Sequence, residues 1–224
     1  SFGNTAKQAY DRMIELVDLA EQYLIKQNAW EVKKPSSNVG SKSIRNEIAR
    51  LRSEISSVID NPILFNLTNS KQGIDFSNRN DVDDIATRGP VTPDHVIRTK
   101  RIPMIGRDVE RYVKEYVSYF DTYEPNAKER KSMLDAAPRV ILDQDFGLCA
   151  VGKNMGEIGI IADLYEHTMQ CILRAENLGG WQTLPASDIF DLEYWDLEQA
   201  KLKKSGNAPE FQGEVVLITG AASG

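Results

Sequence analysis

The chain has 224 residues, of which 41% are hydrophobic and 27% are charged, and its formal net charge is −6 at pH 7. This composition is typical of globular proteins that bury a real core, and the length suits one large or two small domains. An acidic chain lacks the clustered Lys and Arg that a phosphate backbone requires, so we expect no nucleic-acid partner. No run of 18 apolar residues and no signal-peptide pattern occur, so we expect neither a membrane partner nor export.

The first third of the chain predicts two amphipathic helices joined by an exposed connection. Apolar residues recur every three or four positions over residues 5–25, where Asn4 or Thr5 can serve as the N-cap. The same period returns over residues 43–59, with charged residues on the opposite face. Residues 28–43 lack this period and collect Pro, Ser, Asn and Gly, which predicts an internal domain boundary.

The middle of the chain predicts a strand, an irregular stretch and a third helix. A β-favourable run over residues 63–68, bounded by Pro62 and turn residues, predicts the strand. Residues 73–103 are expected to form loops with one or two short helices, the first over residues 81–87. An apolar face two residues wide over residues 108–123 predicts a helix that packs on a sheet or on other helices.

The last third predicts two strands and two helices. The strands are expected over residues 139–142 and 146–152, where Pro and Gly bound the apolar runs. A long helix over residues 154–178 should be the central buried one, and Ser187 should cap a further helix over residues 187–204. Helices thus dominate and separate the few strands, which favours a helix-rich, layered α/β fold.

Two glycines, Gly156 and Gly159, lie inside the predicted long helix. Each weakens a helix by roughly 1 kcal/mol relative to alanine, so their presence needs a reason. The simplest reason is close approach of another helix or strand. We therefore predict tight packing at this face, such that Gly159→Leu would lower the melting temperature.

The two cysteines, Cys149 and Cys171, lie in apolar surroundings without the spacing of a CxxC motif. Free cysteine is among the most buried residue types, and disulfides are rare in a reduced cytoplasm. We therefore predict two free thiols and a cytoplasmic protein.

The most basic stretch of this acidic chain runs from Arg88 to Arg107, with Asp94 as its only intervening carboxylate. One interpretation is contact with a phosphate, because guanidinium groups match phosphate oxygens in geometry and charge. The simpler interpretation is a solvated surface whose cations pair with the aspartates of residues 81–84. The candidates for phosphate contact are His95, Arg98, Lys100 and Arg101.

The chain has only two histidines, His95 and His167. A catalytic zinc site of three histidines therefore cannot form within it, and we predict no metal site and no catalytic residues. His167 lies in the predicted long helix beside apolar positions, so we expect it to be packed or hydrogen bonded in the core.

Residues 215–218 are apolar and run into a Gly-rich turn, which predicts a buried strand. A strand that ends in glycines is common without any nucleotide, but this one resembles the opening of short-chain dehydrogenases. The resemblance implies part of an NAD(P)-binding motif, incomplete because the helix that completes a phosphate cradle is not part of the sequence. The implied cofactor-binding residues are Thr219, Gly220, Ser223 and Gly224.

Two longer stretches, residues 89–103 and residues 188–202, point the same way. They resemble the middle region of bacterial bifunctional proteins that join a class II aldolase/adducin domain to a short-chain dehydrogenase, often called rhamnulose-1-phosphate aldolase/alcohol dehydrogenases. The resemblance spans nearly the whole chain. It implies a full-length protein that combines a lyase, which cleaves a sugar phosphate with a divalent metal such as zinc, and an NAD(P)-dependent oxidoreductase.

The resemblance implies three parts. Residues 1–28 would be the closing helix of an upstream aldolase-type domain, and residues 29–206 a diverged aldolase/adducin-like α/β domain. Residues 207–224 would be a linker and the truncated first strand of a Rossmann domain. In the middle part Phe146 takes the position of a metal histidine, and a phenyl ring offers a metal no lone pair. We therefore expect a fragment that holds no cofactor of its own.

These expectations favour an inter-domain scaffold without a complete active site, attached to the flanking aldolase and dehydrogenase domains of the same polypeptide and forming a homo-oligomer. Two alternatives stay open. One is a sugar-phosphate-binding domain that uses the neighbourhood of His95, Arg98 and Arg101. The other is an oligomerisation module, for which Trp181 and the aromatic residues 194–195 could form a docking patch, although core contacts explain them equally well.

Overall fold

The computed structural model describes residues 1–31, 44–68, 70–203 and 209–221. Its helices are α1 (Ala6–Lys26), α2 (Arg45–Ile59), α3 (Lys71–Ser77), α4 (Val82–Ala86), α5 (Val96–Thr99), α6 (Val109–Tyr123), α7 (Met155–Asn177), α8 (Ala186–Glu193) and α9 (Asp196–Lys203). Its strands are β1 (Leu64–Leu67), β2 (Met104–Ile105), β3 (Val140–Asp143) and β4 (Gly147–Gly152). Short 3-10 turns, Pro93–His95 and Glu124–Asn126, precede α5 and follow α6.

The four strands form one mixed sheet in the order β1–β4–β3–β2. β3 and β4 make an antiparallel hairpin, β1 pairs antiparallel with β4, and β2 runs parallel to β3. Every residue of β3 and β4 is buried, because helices cover both faces of the sheet. The two short apolar runs that form β3 and β4 therefore lie at the centre of the molecule.

Alternation along the hairpin divides the core into two layers, because successive strand residues point to opposite faces. The side chains that pack on the α3, α4 and α7 layer are Val140, Leu142, Leu148 and Ala150. Those that pack on the α2 and α6 layer are Ile141, Cys149 and Val151. The predicted layered α/β fold is confirmed, and the two cysteines are free as predicted.

The predicted helices and strands of the core are confirmed to within two residues at each end. Side-chain caps explain where they begin. The Thr5 hydroxyl accepts a hydrogen bond from the Gln8 amide at 3.2 Å and begins α1. Asn154 Oδ1 accepts from the Glu157 amide at 2.9 Å and begins α7. Asp60, with φ of 55°, ends α2 before the turn into β1.

The single helix predicted over residues 187–204 is wrong, because α8 and α9 are separate helices on either side of Tyr194 and Trp195. At the break, the side-chain amide of Gln199 donates to the carbonyl oxygen of Glu193. This bond replaces the backbone donor that a continuous helix would supply, so the chain can bend without leaving that carbonyl unsatisfied.

Three further predictions are corrected. Ser187 does not cap α8 but lies within it, and its hydroxyl contacts Asp188 Oδ1. The short helix expected over residues 81–87 is confirmed as α4, but residues 73–103 also hold most of α3 and all of α5, which makes three helices where one or two were expected. The strand predicted over residues 215–218 is not formed, and its side chains are 69–90% exposed. Of the predicted boundary and linker, residues 32–43 and 204–208 lie outside the described residues.

The tight packing predicted at the α7 glycines is wrong. A Cβ added to Gly159 would meet no atom within 4 Å outside the local helix backbone, and one added to Gly156 would meet only Asn154 Oδ1, at 3.3 Å. Both glycines are on the exposed face of α7, so the layer interface does not require them.

We expect Gly159→Ala to raise the free energy of unfolding by about 0.5–1 kcal/mol, because alanine has the higher helix propensity and meets no clash here. Urea denaturation measures the change. Gly73→Ala is the matched control in α3, where a Cβ would lie 2.8 Å from Leu148 Cβ and should lower stability. A destabilised Gly159→Ala variant would contradict the open environment.

Helix α1 differs from the other long helices because none of its residues is buried. Its end is attached to the end of α7, where Arg174 stacks 4.4 Å from the Trp30 ring centroid and Asn177 Nδ2 donates to the carbonyl of Glu31 at 3.0 Å. Of the helices that the structure describes, none combines the length and apolarity needed to cross a bilayer.

Candidate functional site

The two distinctive stretches of the sequence, residues 89–103 and residues 188–202, pack against each other. The turn at Pro93–His95 and α5 contact α8, and α5 also contacts α9. Helix α6 lies beside α8 and completes the junction. Polar side chains are buried where these elements meet, and they form a buried polar cluster of Lys100, Tyr116, Glu193 and Tyr194.

Lys100 is the cation of the buried polar cluster. Its backbone has φ of 63° and ψ of 170°, a region that non-glycine residues rarely adopt and that costs roughly 1–3 kcal/mol. The side chain is only 6% exposed. Its Nζ donates to the carbonyl of Asp135 at 2.6 Å, lies 3.9 Å from Glu193 Oε1, and stands 4.1 Å from the Tyr116 ring centroid.

Glu193 is the acid of the cluster and is fully buried. Its Oε1 accepts a hydrogen bond from the Tyr116 hydroxyl at 2.9 Å, and the Tyr116 and Tyr194 hydroxyl oxygens are 2.8 Å apart. Within the described part of the chain, Glu193 Oε2 makes no hydrogen bond. The network therefore joins α6, α8 and the strained residue Lys100.

Burial disfavours both charges of the pair. Desolvation lowers the pKa of Lys100 to about 8, against the opposing attraction of Glu193. Desolvation likewise raises the pKa of Glu193, although Lys100 and the Tyr116 hydroxyl oppose this change. Burial also raises the pKa of Tyr194 to about 12, so both tyrosines remain neutral at physiological pH. The cluster is a buried polar network in which the Tyr116 hydroxyl contacts both Glu193 and Tyr194.

The basic stretch does not form one patch. Its outer members are neutralised, since Arg88 pairs with Asp84 and Glu176. Arg107 makes two hydrogen bonds to Asp143, at 2.8 and 2.9 Å. The Arg88–Asp84 pair is one of the ion pairs that the sequence predicted.

The four candidates for phosphate contact are also separated. Lys100 points into the core, so its assignment as a surface phosphate contact is corrected. His95 is half-buried, its Nδ1 has no partner among the described residues, and burial lowers its pKa. Arg98 is half-buried too. Arg101, the next residue, instead lines a surface groove.

This Arg101 groove lies between residues 101–105 and α6. Two adjoining cavities of about 720 and 480 Å³ share Arg101 and Ile102 on one wall and three polar residues of the α6 end on the other. Those three residues are Asp108, Arg111 and Glu115.

Arg101 is the cation of the groove whose charge is least compensated. The other two cations pair within α6, since Arg111 donates to Glu115 at 2.8 Å and Lys114 to Glu110 at 2.6 Å. Among the described residues Arg101 has no carboxylate within 4.0 Å, and its guanidinium stacks 5.0 Å from the Tyr119 ring centroid. Carboxylates line the groove as well, so Arg101 is its candidate contact for an anionic group and not part of a basic patch.

The metal implied by the resemblance does not fit the described residues, which contain no group of three or more His, Cys, Asp or Glu side chains able to hold one. Phe146 is buried with its ring 4.0 Å below the Arg107 guanidinium, which leaves no ligand at that position. His167 is exposed on α7, 3.5 Å from Cys171 Sγ, and not in the core as predicted.

The described residues include only part of the implied dinucleotide cradle. Thr219 and Gly220 lie in an exposed bend, and Ser223 and Gly224 lie outside the described residues. The structure thus leaves the nucleotide-binding assignment as a prediction and provides no pocket geometry for it.

Sequence reasoning missed the buried polar cluster. A signal existed for Glu193, which falls three and four positions after Phe190 and Ile189 and so lies on the apolar face of α8. A charged residue at such a position is buried with a partner or is functional. No comparable signal marks Lys100, because its direction depends on its positive φ.

Comparison with known proteins identifies a family for most of the chain. The family model described as aldolase class II, second domain, matches residues 42–202, which is more than half of the chain and includes both distinctive stretches. The uncharacterized oxidoreductase YuxG of Bacillus subtilis (strain 168) is 25% identical over 246 residues. That similarity covers 100% of this chain but only 35% of the relative, so the chain spans about a third of its length. No solved structure matches. The chain therefore belongs to the family of aldolase class II second domains.

Proposed function

We propose that this chain is the connecting unit of a longer two-enzyme polypeptide and holds a sugar-phosphate aldolase next to an NAD(P)-dependent short-chain dehydrogenase. The observation that carries the proposal is the position of the exposed apolar surface. The family segment at residues 42–202 buries its core, whereas α1 and residues 215–218, which flank it, expose large apolar side chains. The partial coverage of a larger oxidoreductase relative supports it.

Helix α1 is the stronger of the two flanking surfaces. It has 21 residues and is roughly 31 Å long at 1.5 Å per residue. Such a helix is marginal in water unless an apolar face is packed, and an exposed stripe of this size marks an interaction surface. Its large apolar side chains, each 41–61% exposed, are Tyr10, Met13, Ile14, Leu16, Val17, Leu19, Tyr23 and Ile25.

The occupant we propose for this face is the preceding aldolase-type domain of the same polypeptide. The apolar side chains extend over more than a narrow two-helix seam, since Leu16 and Leu19 lie beside the stripe of Met13 and Val17. A wide face suits a helix that packs on a domain. On the other side of the family segment, residues 215–218 would supply the first strand of the dehydrogenase sheet, with Thr219 and its glycines beginning the cofactor turn.

We expect Val17→Glu to separate α1 from its neighbour in the longer polypeptide, because a carboxylate cannot be buried unpaired in an apolar interface. Trypsin cleavage within α1, after Arg12 and Lys26, should then become at least tenfold faster. Gln22→Glu, on the polar face of α1, is the matched charge-changing control and should leave the cleavage rate at these two sites unchanged.

The proposal would be contradicted if both variants were cleaved at the wild-type rate. Turnover of a sugar phosphate, or of an alcohol with NAD(P), by the purified chain alone would contradict it as well. If light scattering showed that Val17→Glu only converts a homo-oligomer to a monomer, the α1 face would be a subunit interface instead.

A second candidate function, binding of a sugar phosphate, is favoured by the Arg101 groove. Arg101 forms no ion pair within 4.0 Å among the described residues, and the cavity volume of about 720 Å³ is within the usual range for small-molecule sites. The neighbourhood first expected for this function included His95 and Arg98, which are not among the residues that line the described groove.

If the groove binds a phosphate, Arg101→Gln should weaken binding of inorganic phosphate at least tenfold, because a charge-assisted bidentate contact is lost. Isothermal titration calorimetry measures this at low ionic strength. Arg111→Gln is the control in the same groove, since its charge already pairs with Glu115. Absence of heat with the unmodified chain would exclude this second function.

A further inference from the structure

The C-terminal segment is attached to the family domain where a free linker was expected. Residues 209–214 form two successive turns, closed by the Gln212 amide to the Pro209 carbonyl at 3.0 Å and the Glu214 amide to the Phe211 carbonyl at 3.1 Å. Gly213 is buried, although the residues after it are exposed.

One arginine binds this segment to the sheet. Arg52, on α2, donates through Nε to the carbonyl of Ile63 at 2.6 Å and through Nη2 to the carbonyl of Gly213 at 2.9 Å. Ile63 directly precedes β1 and is fully buried. The planar guanidinium holds two carbonyls from segments 150 positions apart, a geometry that a lysine ammonium does not reproduce.

Backbone contact makes the attachment specific to glycine. Gly213 has φ of 81°, and a Cβ added to it would lie 2.0 Å from the carbonyl oxygen of Pro62 and 2.5 Å from the carbonyl carbon. Neither atom can move without displacing the start of β1. Gly106 has a similar φ of 75° but an added Cβ would meet nothing within 4 Å. A substitution at Gly213 therefore meets both the clash with Pro62 and the cost of a positive φ, whereas one at Gly106 meets only the cost of a positive φ.

We propose that Arg52, Pro62 and Gly213 form a fixed joint that sets the direction in which the C-terminal apolar segment leaves the family domain. The biological value of the joint rests on the proposed function, because a defined exit direction matters when a second domain begins at residue 215. The joint itself is a property of this chain. It fixes Gly213 against the residues that lead into β1, so residues 215–218 leave the domain from a fixed point.

The test is the distance distribution between spin labels at Asp163→Cys, on the exposed face of α7, and Val215→Cys, two residues after the joint. Cys171→Ser removes the half-buried thiol, and Cys149 is buried. We expect a single narrow distribution in this parent, the same distribution with Gly106→Ala, and at least a twofold broader one with Gly213→Ala. Arg52→Met should broaden it too, and serves if Gly213→Ala does not fold.

A parent distribution as broad as that of Gly213→Ala or Arg52→Met would overturn the joint. Thermal melting by circular dichroism verifies that each variant retains the folded family domain. Because the measurement uses the chain alone, it does not depend on a flanking domain. Failure of the α1 experiment with an intact narrow distribution would refute the connecting function but not the joint.

Discussion

Lys100→Met is expected to lower the free energy of unfolding by about 3 kcal/mol, because it removes one partner of a buried ion pair and leaves the other without compensation. Glu193 would remain fully buried beside the Tyr116 hydroxyl without its nearest cation, and the carbonyl of Asp135 would lose its donor from Nζ. Urea denaturation at pH 7 measures the change.

The double variant Lys100→Met/Glu193→Gln should recover more than half of this loss, because no unpaired buried charge remains. Lys114→Met is the surface control, since its pair with Glu110 is exposed and should contribute nothing measurable. A Lys100→Met variant as stable as the parent would show that the ammonium is not paired in the core.

The same variant has a defined pH signature. The pKa of Lys100 is lowered from 10.5 to about 8 in the folded state, so the unfolded chain binds more protons between these values. The free-energy cost of burying the charged ammonium of Lys100 is therefore present in full below about pH 8. It disappears as the pH rises to 10.5, so the folded state becomes more stable over this range. The slope that this adds to stability in that window should be missing in Lys100→Met.

Phe190→Ala is the second large effect, with an expected loss of about 3–5 kcal/mol. Phe190 is fully buried and its ring stacks on Tyr194 with centroids 4.5 Å apart, while Tyr119 meets it edge-on at 5.6 Å. The truncation opens a cavity between α6 and α8, next to the buried polar cluster. Urea denaturation gives the loss, and near-ultraviolet circular dichroism should show weakened tyrosine signals.

Trp195→Ala is the control for this aromatic region. Trp195 directly follows Tyr194 but is 48% exposed, so its removal should cost under about 1 kcal/mol. The three aromatic residues that the sequence suggested as a docking patch therefore do not share one surface. Trp181 and Tyr194 belong to the core, and Trp195 is on the surface. Equal losses from Phe190→Ala and Trp195→Ala would contradict this division.

Local signals were sufficient for the elements of the core. The apolar periods that predicted α2, α6 and α7 are the stripes that pack on the sheet, and α2 ends at Ile59 as predicted. The β3 and β4 runs were visible because buried strands need continuous apolar residues bounded by turns. The two-residue strand β2 carries no such signal, since its pairing with β3 alone defines it.

Where local preference and tertiary contact compete, the sequence was a poor guide. The period of residues 187–204 continues across Tyr194, yet the chain bends there because the Gln199 side chain replaces a helical donor. Gly156 and Gly159 suggested tight packing, but they lie on the side of α7 that faces outward. Which side of α7 faces outward depends on how the whole helix is rotated against the sheet.

The sequence by itself determined the layered α/β class, the core elements and the two stretches that identify the family. Only the tertiary structure decided the candidate sites, because each is made by groups distant in sequence. Tyr116 and Glu193 are 77 positions apart, and Arg52 and Gly213 are 161 apart. The periodicity of a helix fixes which face is apolar, but the distance between two such faces depends on how every element packs. The positive φ at Lys100 likewise follows from tertiary contacts and not from residue type.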